Sequence, residues 1–134
     1  MAVFVDTSAL YALAVSSDVN HVAAAATFRE LRGEVLLTHN YIVLESVALL
    51  QARRGIEAVR RLLNDLLAVV SVDWIEPDVH AEAVAALLAS GRRQVSLVDR
   101  VSFTFMRHRS IARAFAFDVH FREEGFDVVV DDRA

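Results

Sequence analysis

Two uninterrupted apolar segments, each ending in an aspartate, constrain the fold of this chain more than any other feature. The first is AVFV, followed by Asp6, and the second is AFAF, followed by Asp118. Such runs suit strands that are buried on both faces, as in a parallel sheet covered by helices. Open α/β sheets bind their ligands beyond the carboxyl ends of the strands. We therefore expect both carboxylates to belong to a functional site at one edge of a sheet.

The bulk properties indicate one globular domain. A chain of 134 residues, 55% of them hydrophobic, is long enough for a proper core and too apolar for disorder, so we expect a single domain over residues 1–134. No apolar run reaches the roughly 18 residues that span a bilayer, and no signal-peptide pattern is present. These features predict a soluble, cytoplasmic protein. The lack of cysteine excludes disulfides and thiolate chemistry.

Strand and helix patterns alternate along the whole chain. Strands are predicted at 2–5, 35–38, 69–75, 112–117 and 126–130, and helices at 8–15, 21–31, 41–53, 56–67, 79–88, 96–108 and, as a short turn, 120–123. Asn40 is the predicted cap of the third helix. Residues 131–134 are expected to fray. This order predicts an α/β fold, a three-layer α/β/α sandwich with a mainly parallel central sheet.

The charge is unevenly distributed. The net charge of −4 argues against a general binder of polyanions, yet all 14 basic residues are arginine and six of them lie within 92–113, beside the single acid Asp99. Arginine forks match phosphate geometry. This segment is consistent with a phosphate-binding region beside a cation site, or with a solvated helix face.

Glu45 stands among the apolar residues of the third predicted helix. Its neighbours three and four positions away include Tyr41, Ile42 and Leu49, so the carboxylate shares the face that should turn to the core. Burying an unpaired carboxylate costs several kcal/mol or shifts its pKa. An arginine or a metal ion could compensate, or the residue could lie at the edge of the stripe.

Two further acids have both a structural and a functional interpretation. Ser96 and Asp99 have the spacing of a helix capping box, which would by itself explain both, but Asp99 also lies on a largely apolar helix and could cap and coordinate at once. Asp118 could equally be a turn residue after its strand. Among the histidines, His21 and His120 are the best candidates for a position near a site.

If these acids meet, the chemistry they imply is metal-dependent. Carboxylates gathered in one cleft repel one another unless cations lie between them. All-oxygen ligands without cysteine select hard ions, so we expect one or two Mg²⁺ or Mn²⁺ ions. Such ions commonly support phosphodiester hydrolysis.

The same residues carry a family resemblance. The segments VFVDTSAL around Asp6, SLVDRVSF around Asp99 and AFAFDVHF around Asp118, with Glu45 between them, resemble the motifs of the PIN-domain nucleases. Within that family the chain is most similar to the VapC-type toxins of type II toxin–antitoxin pairs. The resemblance covers essentially the whole chain, and none of the four acids is missing.

The resemblance implies a function and a set of roles. Asp6, Glu45, Asp99 and Asp118 would form the catalytic acidic cluster that binds magnesium or manganese, with Asp6 and Asp99 as the most direct ligands. Thr7, Ser8 and Ser96 would hold carboxylates or contact substrate phosphate. The family further implies an endoribonuclease that acts as a toxin, a small antitoxin partner and a homodimer.

Two other classes of protein remain open from the sequence. A non-toxin or catalytically silent PIN-like domain would bind RNA or a protein partner without turnover. A phosphoryl-accepting receiver domain also places an aspartate after its first strand, but its site normally needs a lysine, and the chain contains none.

Overall fold

The computed structural model of the protein describes residues 1–130. The expected fraying of residues 131–134 falls outside the described residues. Within these limits the centre of the molecule is a parallel five-stranded sheet with the order β3-β2-β1-β4-β5. Its strands are β1 (Ala2–Val5), β2 (Val35–His39), β3 (Ser71–Asp73), β4 (Arg113–Phe115) and β5 (Asp127–Val128).

Helices fill the connections between successive strands. They are α1 (Thr7–Ala14), α2 (His21–Glu30), α3 (Asn40–Arg54), α4 (Ile56–Arg61), α5 (Pro77–Ser90), α6 (Leu97–His108) and α7 (His120–Glu123). None of the helices in residues 1–130 combines the length and the apolar character that crossing a membrane requires.

The strand order places the helices in two layers. The chain moves from β1 to β2 to β3 in one direction and then returns past β1 to β4 and β5. Because parallel crossovers are right-handed, the reversal moves later helices to the opposite face of the sheet. In agreement, α1 packs on α2 and α3, and α3 on α4, whereas α5 packs on α6. The predicted three-layer α/β/α fold is confirmed, and the reversal lies between β1 and β4.

The core explains why β1 is apolar throughout. Val3, Phe4 and Val5 have almost no solvent exposure, because helices cover both faces of this central strand. The ring of Phe4 lies 6.0 Å from those of Phe105 and Phe121. The apolar run that precedes Asp6 therefore fixes that aspartate at the rim of the best-packed strand.

Several predicted elements differ from the observed ones at their ends or in kind, and the strands predicted at 69–75 and 112–117 shorten to the three residues each of β3 and β4. The helix predicted at 56–67 is split, because α4 passes into a π-helical turn over Leu62–Leu66 in which Leu67 N–H bonds to the Leu62 carbonyl at 3.0 Å. The strand predicted at 126–130 shortens to the two residues of β5. The local apolar pattern could not separate α from π bonding.

The cap of α3 is His39, not Asn40 as predicted. The His39 side chain accepts a hydrogen bond from the Ile42 N–H at 3.3 Å. Asn40 instead accepts a bond from the Ile75 N–H at 2.7 Å and so ties the start of α3 to the segment after β3. The preference of asparagine for caps was outweighed by this tertiary contact.

Candidate active site

Asp6 is held firmly at the end of β1. Its N–H continues the sheet by bonding to the Phe115 carbonyl at 3.1 Å. Its side chain caps α1, accepting bonds from the Ser8 N–H at 3.2 Å and the Ser8 hydroxyl at 2.7 Å. The residue is 5% exposed. The first aspartate is thus both a helix cap and a buried acid facing the sheet edge.

Ser8 connects the two aspartate-terminated strands. While its hydroxyl donates to Asp6, its oxygen accepts a bond from the Phe117 N–H at 2.9 Å. Phe117 immediately precedes Asp118. One hydroxyl therefore links the residues that follow β1 and β4, at the point where the strand order reverses.

Glu45 lies at the edge of the buried stripe of α3 and not in its centre. The stripe itself consists of Ile42, Ser46 and Leu50, and Glu45 is half-buried beside it. No arginine compensates the carboxylate by a recorded ion pair within residues 1–130. Instead, Thr7 Oγ1 donates a hydrogen bond of 2.6 Å to Glu45 Oε1.

Asp99 and Ser96 form the predicted capping box at the start of α6. The Ser96 oxygen accepts a bond from the Asp99 N–H at 3.1 Å, and Asp99 Oδ2 accepts one from the Ser96 N–H at 3.0 Å. The second carboxylate oxygen, Oδ1, is left out of the box. Asp99 can therefore cap its helix and still present an oxygen to a ligand.

Asp118 begins the short turn that leads into α7. Its Oδ1 accepts a bond from the His120 N–H at 2.9 Å. The His120 imidazole lies 3.9 Å from the same oxygen and 2.8 Å from Glu123 Oε1. The prediction that His120 lies near the acids holds geometrically.

His21 instead bonds to the Ala12 carbonyl through Nδ1 at 2.7 Å and is absent from the cleft described next.

The predicted acids and hydroxyl residues line one cleft of about 340 Å³. Its walls contain all four predicted acids and all three predicted hydroxyl residues, together with one apolar side chain; they are Asp6, Thr7, Ser8, Glu45, Leu49, Ser96, Asp99 and Asp118. Residues separated by more than 100 positions in sequence thus meet at the carboxyl edge of the sheet. The strand ends made such a convergence plausible, and the resemblance to the PIN-domain nucleases implied it.

The cleft raises the pKa values of three of its carboxyl groups. Burial, reinforced by the charges of Asp99 and Asp118, raises the pKa of Asp6 to about 7 although both bonds from Ser8 oppose the shift. Burial also raises the pKa of Glu45 against the bond from Thr7. The pKa of Asp99 is raised for the same first reason, with the charge of Asp118 adding to it. Like charges packed this closely indicate a site arranged for something other than stability.

Comparison with known proteins assigns the family. The model of the PIN domain matches residues 3–126. The chain belongs to the PIN-domain family. The resemblance to the PIN-domain nucleases, which the segments around the four acids carry, is thereby confirmed.

The relatives of this PIN domain include a characterised nuclease. The 23S rRNA-specific endonuclease VapC20 of Mycobacterium tuberculosis is 34% identical over 125 residues, which cover 92% of this chain and 95% of VapC20. The crystal structure of VapC20, described as a sarcin-ricin loop cleaving toxin, superposes with a TM-score of 0.89 at 32% identity, covering 96% of this chain and 99% of that one. VapBC2 from Rickettsia felis, bound to a promoter DNA fragment, shares the fold with a TM-score of 0.74 at 10% identity, over 98% and 100% of the two chains.

The donor set of this PIN domain fits a hard divalent cation. The four acids offer oxygen ligands only, and a cation between them would offset the burial and the neighbouring charges that raise the pKa values of Asp6, Glu45 and Asp99. As the side chains stand, no three acidic or histidine groups in residues 1–130 converge tightly enough to ligate one ion. Three of them could therefore hold one ion only after side chains that share the cleft have moved.

Arginines in the segment 92–113 mostly have acidic partners. Five of the six form ion pairs, namely Arg92 with Glu123, Arg100 and Arg107 with Glu124, Arg109 with Asp73, and Arg113 with Glu34. Carboxylates thus form ion pairs with guanidinium groups that the sequence analysis considered either for phosphate binding or as part of a solvated helix face. Glu124, which has no distinctive sequence context, is the partner of the buried Arg100.

One buried group beside the site was missed by sequence reasoning. His39 is fully buried at the carboxyl end of β2, and its Nε2 lies 2.9 Å from Ser102 Oγ. Burial lowers the pKa of this imidazole to about 3. The available signal was its position, since it ends a strand in the same manner as Asp6.

Proposed function

We propose that this protein is a metal-dependent endoribonuclease that hydrolyses RNA phosphodiester bonds and acts as the toxin of a toxin–antitoxin pair. The observation that carries the proposal is the cleft lined by Asp6, Glu45, Asp99 and Asp118 in a PIN domain related over nearly its whole length to an rRNA endonuclease. A receiver-type function loses its basis, because the fold and family are those of PIN domains.

In this proposal the four acids hold one or two Mg²⁺ or Mn²⁺ ions. A divalent cation bound there would polarise the scissile phosphate, activate a water molecule and stabilise the leaving oxygen. The residues of the chain itself orient the ligands. Thr7 fixes one oxygen of Glu45, Ser8 fixes Asp6 relative to the end of β4, and the capping box leaves Asp99 Oδ1 free to turn toward the cleft.

The protonation of the acids sets the working range of such a site. Asp6 with a pKa of about 7 retains a proton at mildly acidic pH when no cation is present. Because a ligating carboxylate must be deprotonated, cation binding displaces that proton and becomes stronger as the pH rises through 7. We expect cleavage at a fixed low metal concentration to increase over the same interval.

We further propose large-subunit ribosomal RNA, at its sarcin-ricin loop, as the substrate, on the strength of the likeness to VapC20. The partners would be a small antitoxin protein and a second copy of this chain, and the site of action would be the cytoplasm. These assignments rest on the relationship and are to be tested separately from the chemistry.

The test uses purified protein freed of metal by chelation and dialysis. We expect cleavage of bacterial 23S rRNA on addition of Mn²⁺ or Mg²⁺, at a position mapped by primer extension, and loss of cleavage with excess chelator. Asp6→Asn and Asp99→Asn should abolish cleavage while leaving the circular dichroism spectrum unchanged. Glu57→Gln, an exposed acid remote from the cleft, is the matched control. Cleavage by both aspartate variants at the parent rate would overturn the site assignment.

A further inference from the structure

The buried imidazole of His39 contacts the three elements that present Asp6, Glu45 and Asp99. It caps α3, the helix of Glu45, by accepting the Ile42 N–H at Nδ1. It bonds through Nε2 to Ser102 of α6, the helix of Asp99. Its ring stacks on Phe4 of β1, the strand of Asp6, with ring centroids 5.5 Å apart. No other described histidine is fully buried.

The hydrogen bonds fix the chemical form of this imidazole. Nδ1 accepts from a backbone N–H and must lack a proton, so Nε2 carries the proton and donates it to Ser102 Oγ at 2.9 Å. The Ser102 hydroxyl in turn donates to the Val98 carbonyl at 3.0 Å. Both ring nitrogens of His39 and the hydroxyl of Ser102 thereby have hydrogen-bond partners, and the neutral ring has one permitted orientation.

The spacing along each element brings this network close to the acids. Ser102 lies three residues after Asp99 on α6, about one helical turn. Phe4 lies two residues before Asp6. Glu45 follows the capped end of α3 by fewer than two turns. A shift of the imidazole would therefore move the backbones that present the carboxylates.

Apart from this network, α3 and α6 pack on different neighbouring helices. Helix α3 packs on α1 and α4, whereas α6 packs chiefly on α5 from the opposite face of the sheet. The bond from His39 to Ser102 is a direct polar link between them at the sheet edge. An aliphatic side chain at position 39 would fill the space but would fix neither the start of α3 nor its separation from α6.

We propose that His39 is a positioning residue, which through Ser102 sets the separation of Glu45 and Asp99 for cation binding. The inference rests on the proposed metal-dependent function. It predicts a contribution of the kind made by groups that orient metal ligands, whose loss weakens metal affinity about 10- to 100-fold.

The experiment breaks the link from each side. His39→Asn retains a side-chain oxygen that can cap α3 but is too short to reach Ser102, and Ser102→Ala removes the acceptor while the cap remains. Leu62→Val, at the fully buried first residue of the π-helical turn, is the control for a loss of packing remote from the link. Each protein is freed of metal and titrated with Mn²⁺ by calorimetry well below its melting temperature.

We expect both link variants to bind Mn²⁺ about tenfold more weakly than the parent, and the double variant to be no weaker than either single one. Leu62→Val should keep the parent affinity at a comparable loss of melting temperature. In RNA cleavage, kcat at fixed Mn²⁺ should fall with little change in KM. Should His39→Asn fail to fold, Ser102→Ala carries the same test.

Parent-like Mn²⁺ affinity in folded link variants would overturn the inference while leaving the proposed function intact. An equal loss of affinity in Leu62→Val would also overturn it, because the effect would then follow from stability alone. A parent protein that binds no Mn²⁺ would instead overturn the proposed function, and the inference with it.

Discussion

Thr7 Oγ1 donates a 2.6 Å hydrogen bond to Glu45 Oε1, joining residues 38 positions apart at the mouth of the acidic cleft. Ser46 supports the arrangement, because its hydroxyl lies 3.4 Å from the same threonine oxygen. Thr7 is itself the first residue of α1, directly after Asp6. A single side chain thus aligns one acid with the element that presents another.

Replacing Thr7 should impair metal binding more than folding. Thr7→Val keeps the shape but removes the donor, so Glu45 would lose its fixed orientation, and we expect Mn²⁺ affinity and cleavage to fall about tenfold or more. Thr7→Ser keeps the hydroxyl and should retain most of both. Calorimetry and RNA cleavage measure the two effects. Equal activity of the valine and serine variants would show that this bond does not orient a ligand.

The metal-free protein should be less stable at alkaline pH because of Asp6. Its pKa is about 7 in the folded chain, against an ordinary value of 3.8, so the folded state holds a proton that the unfolded state has lost between about pH 4 and 7. Stability therefore falls as the pH rises through this interval. At about 1.4 kcal/mol per pKa unit, the deficit at pH 8 is at most about 4 kcal/mol.

Asp6→Asn removes this charge and keeps an oxygen to cap α1. We expect the variant to exceed the parent in free energy of unfolding by 1 kcal/mol or more at pH 8 with chelator, and to match it near pH 4, as measured by urea unfolding. The same difference at both pH values would mean that the ionisation of Asp6 is not the cause. Added Mn²⁺ should reverse the order, since it stabilises the parent alone.

His39 should behave oppositely to Asp6 on acidification. Burial lowers the pKa of His39 to about 3, so the unfolded chain takes up a proton at this position below about pH 6.5 while the folded chain does not. Its contribution to stability is therefore complete above pH 6.5 and is lost as the pH falls toward 3. ¹⁵N NMR should show a neutral ring protonated at Nε2 from pH 8 to pH 5. A titration midpoint near 6.5 in the folded protein would contradict this.

The pair formed by Arg100 and Glu124 should contribute to folding and not to the chemistry. Arg100 is 8% exposed and donates to Glu124 at 3.1 Å. Glu124→Gln would leave a buried guanidinium without a counter-charge, and we expect a loss of about 1–3 kcal/mol because the glutamate itself is partly exposed. Adding Arg100→Met should restore part of the loss in urea unfolding, and a further loss in the double variant would refute the explanation.

The sequence contained most of the fold because its strands and helices have separate periodicities. The unbroken apolar runs before Asp6 and Asp118 predicted strands buried on both faces, and the regular alternation of elements predicted a parallel sheet. The residues at which elements begin and end were harder to predict. Nothing local distinguishes α from π bonding at Leu62–Leu66, and the His39 ring that caps α3 also bonds to Ser102, which is 63 positions away.

The acids of the candidate site could be singled out in advance because each breaks a local pattern, whereas their grouping into one cluster was implied by the family resemblance. Asp6 and Asp118 end apolar runs, and Asp99 stands on an apolar helix. The partners of these acids were harder to foresee, since the bond from Thr7 to Glu45 and the bridge through Ser8 require the tertiary structure. The ion pairs of the arginine-rich segment were equally hard to foresee, because its acidic partners come from remote elements such as α7 and β3.

The location of a bound cation tests the central claim most directly. Crystals of the chelated protein soaked in Mn²⁺ and measured at the manganese absorption edge would show the ion by its anomalous scattering. The account predicts a peak in the cleft in contact with carboxylate oxygens of Asp6 and Asp99, absent from Asp99→Asn crystals treated identically. A peak elsewhere on the protein, with neither aspartate in contact with it, would contradict the account.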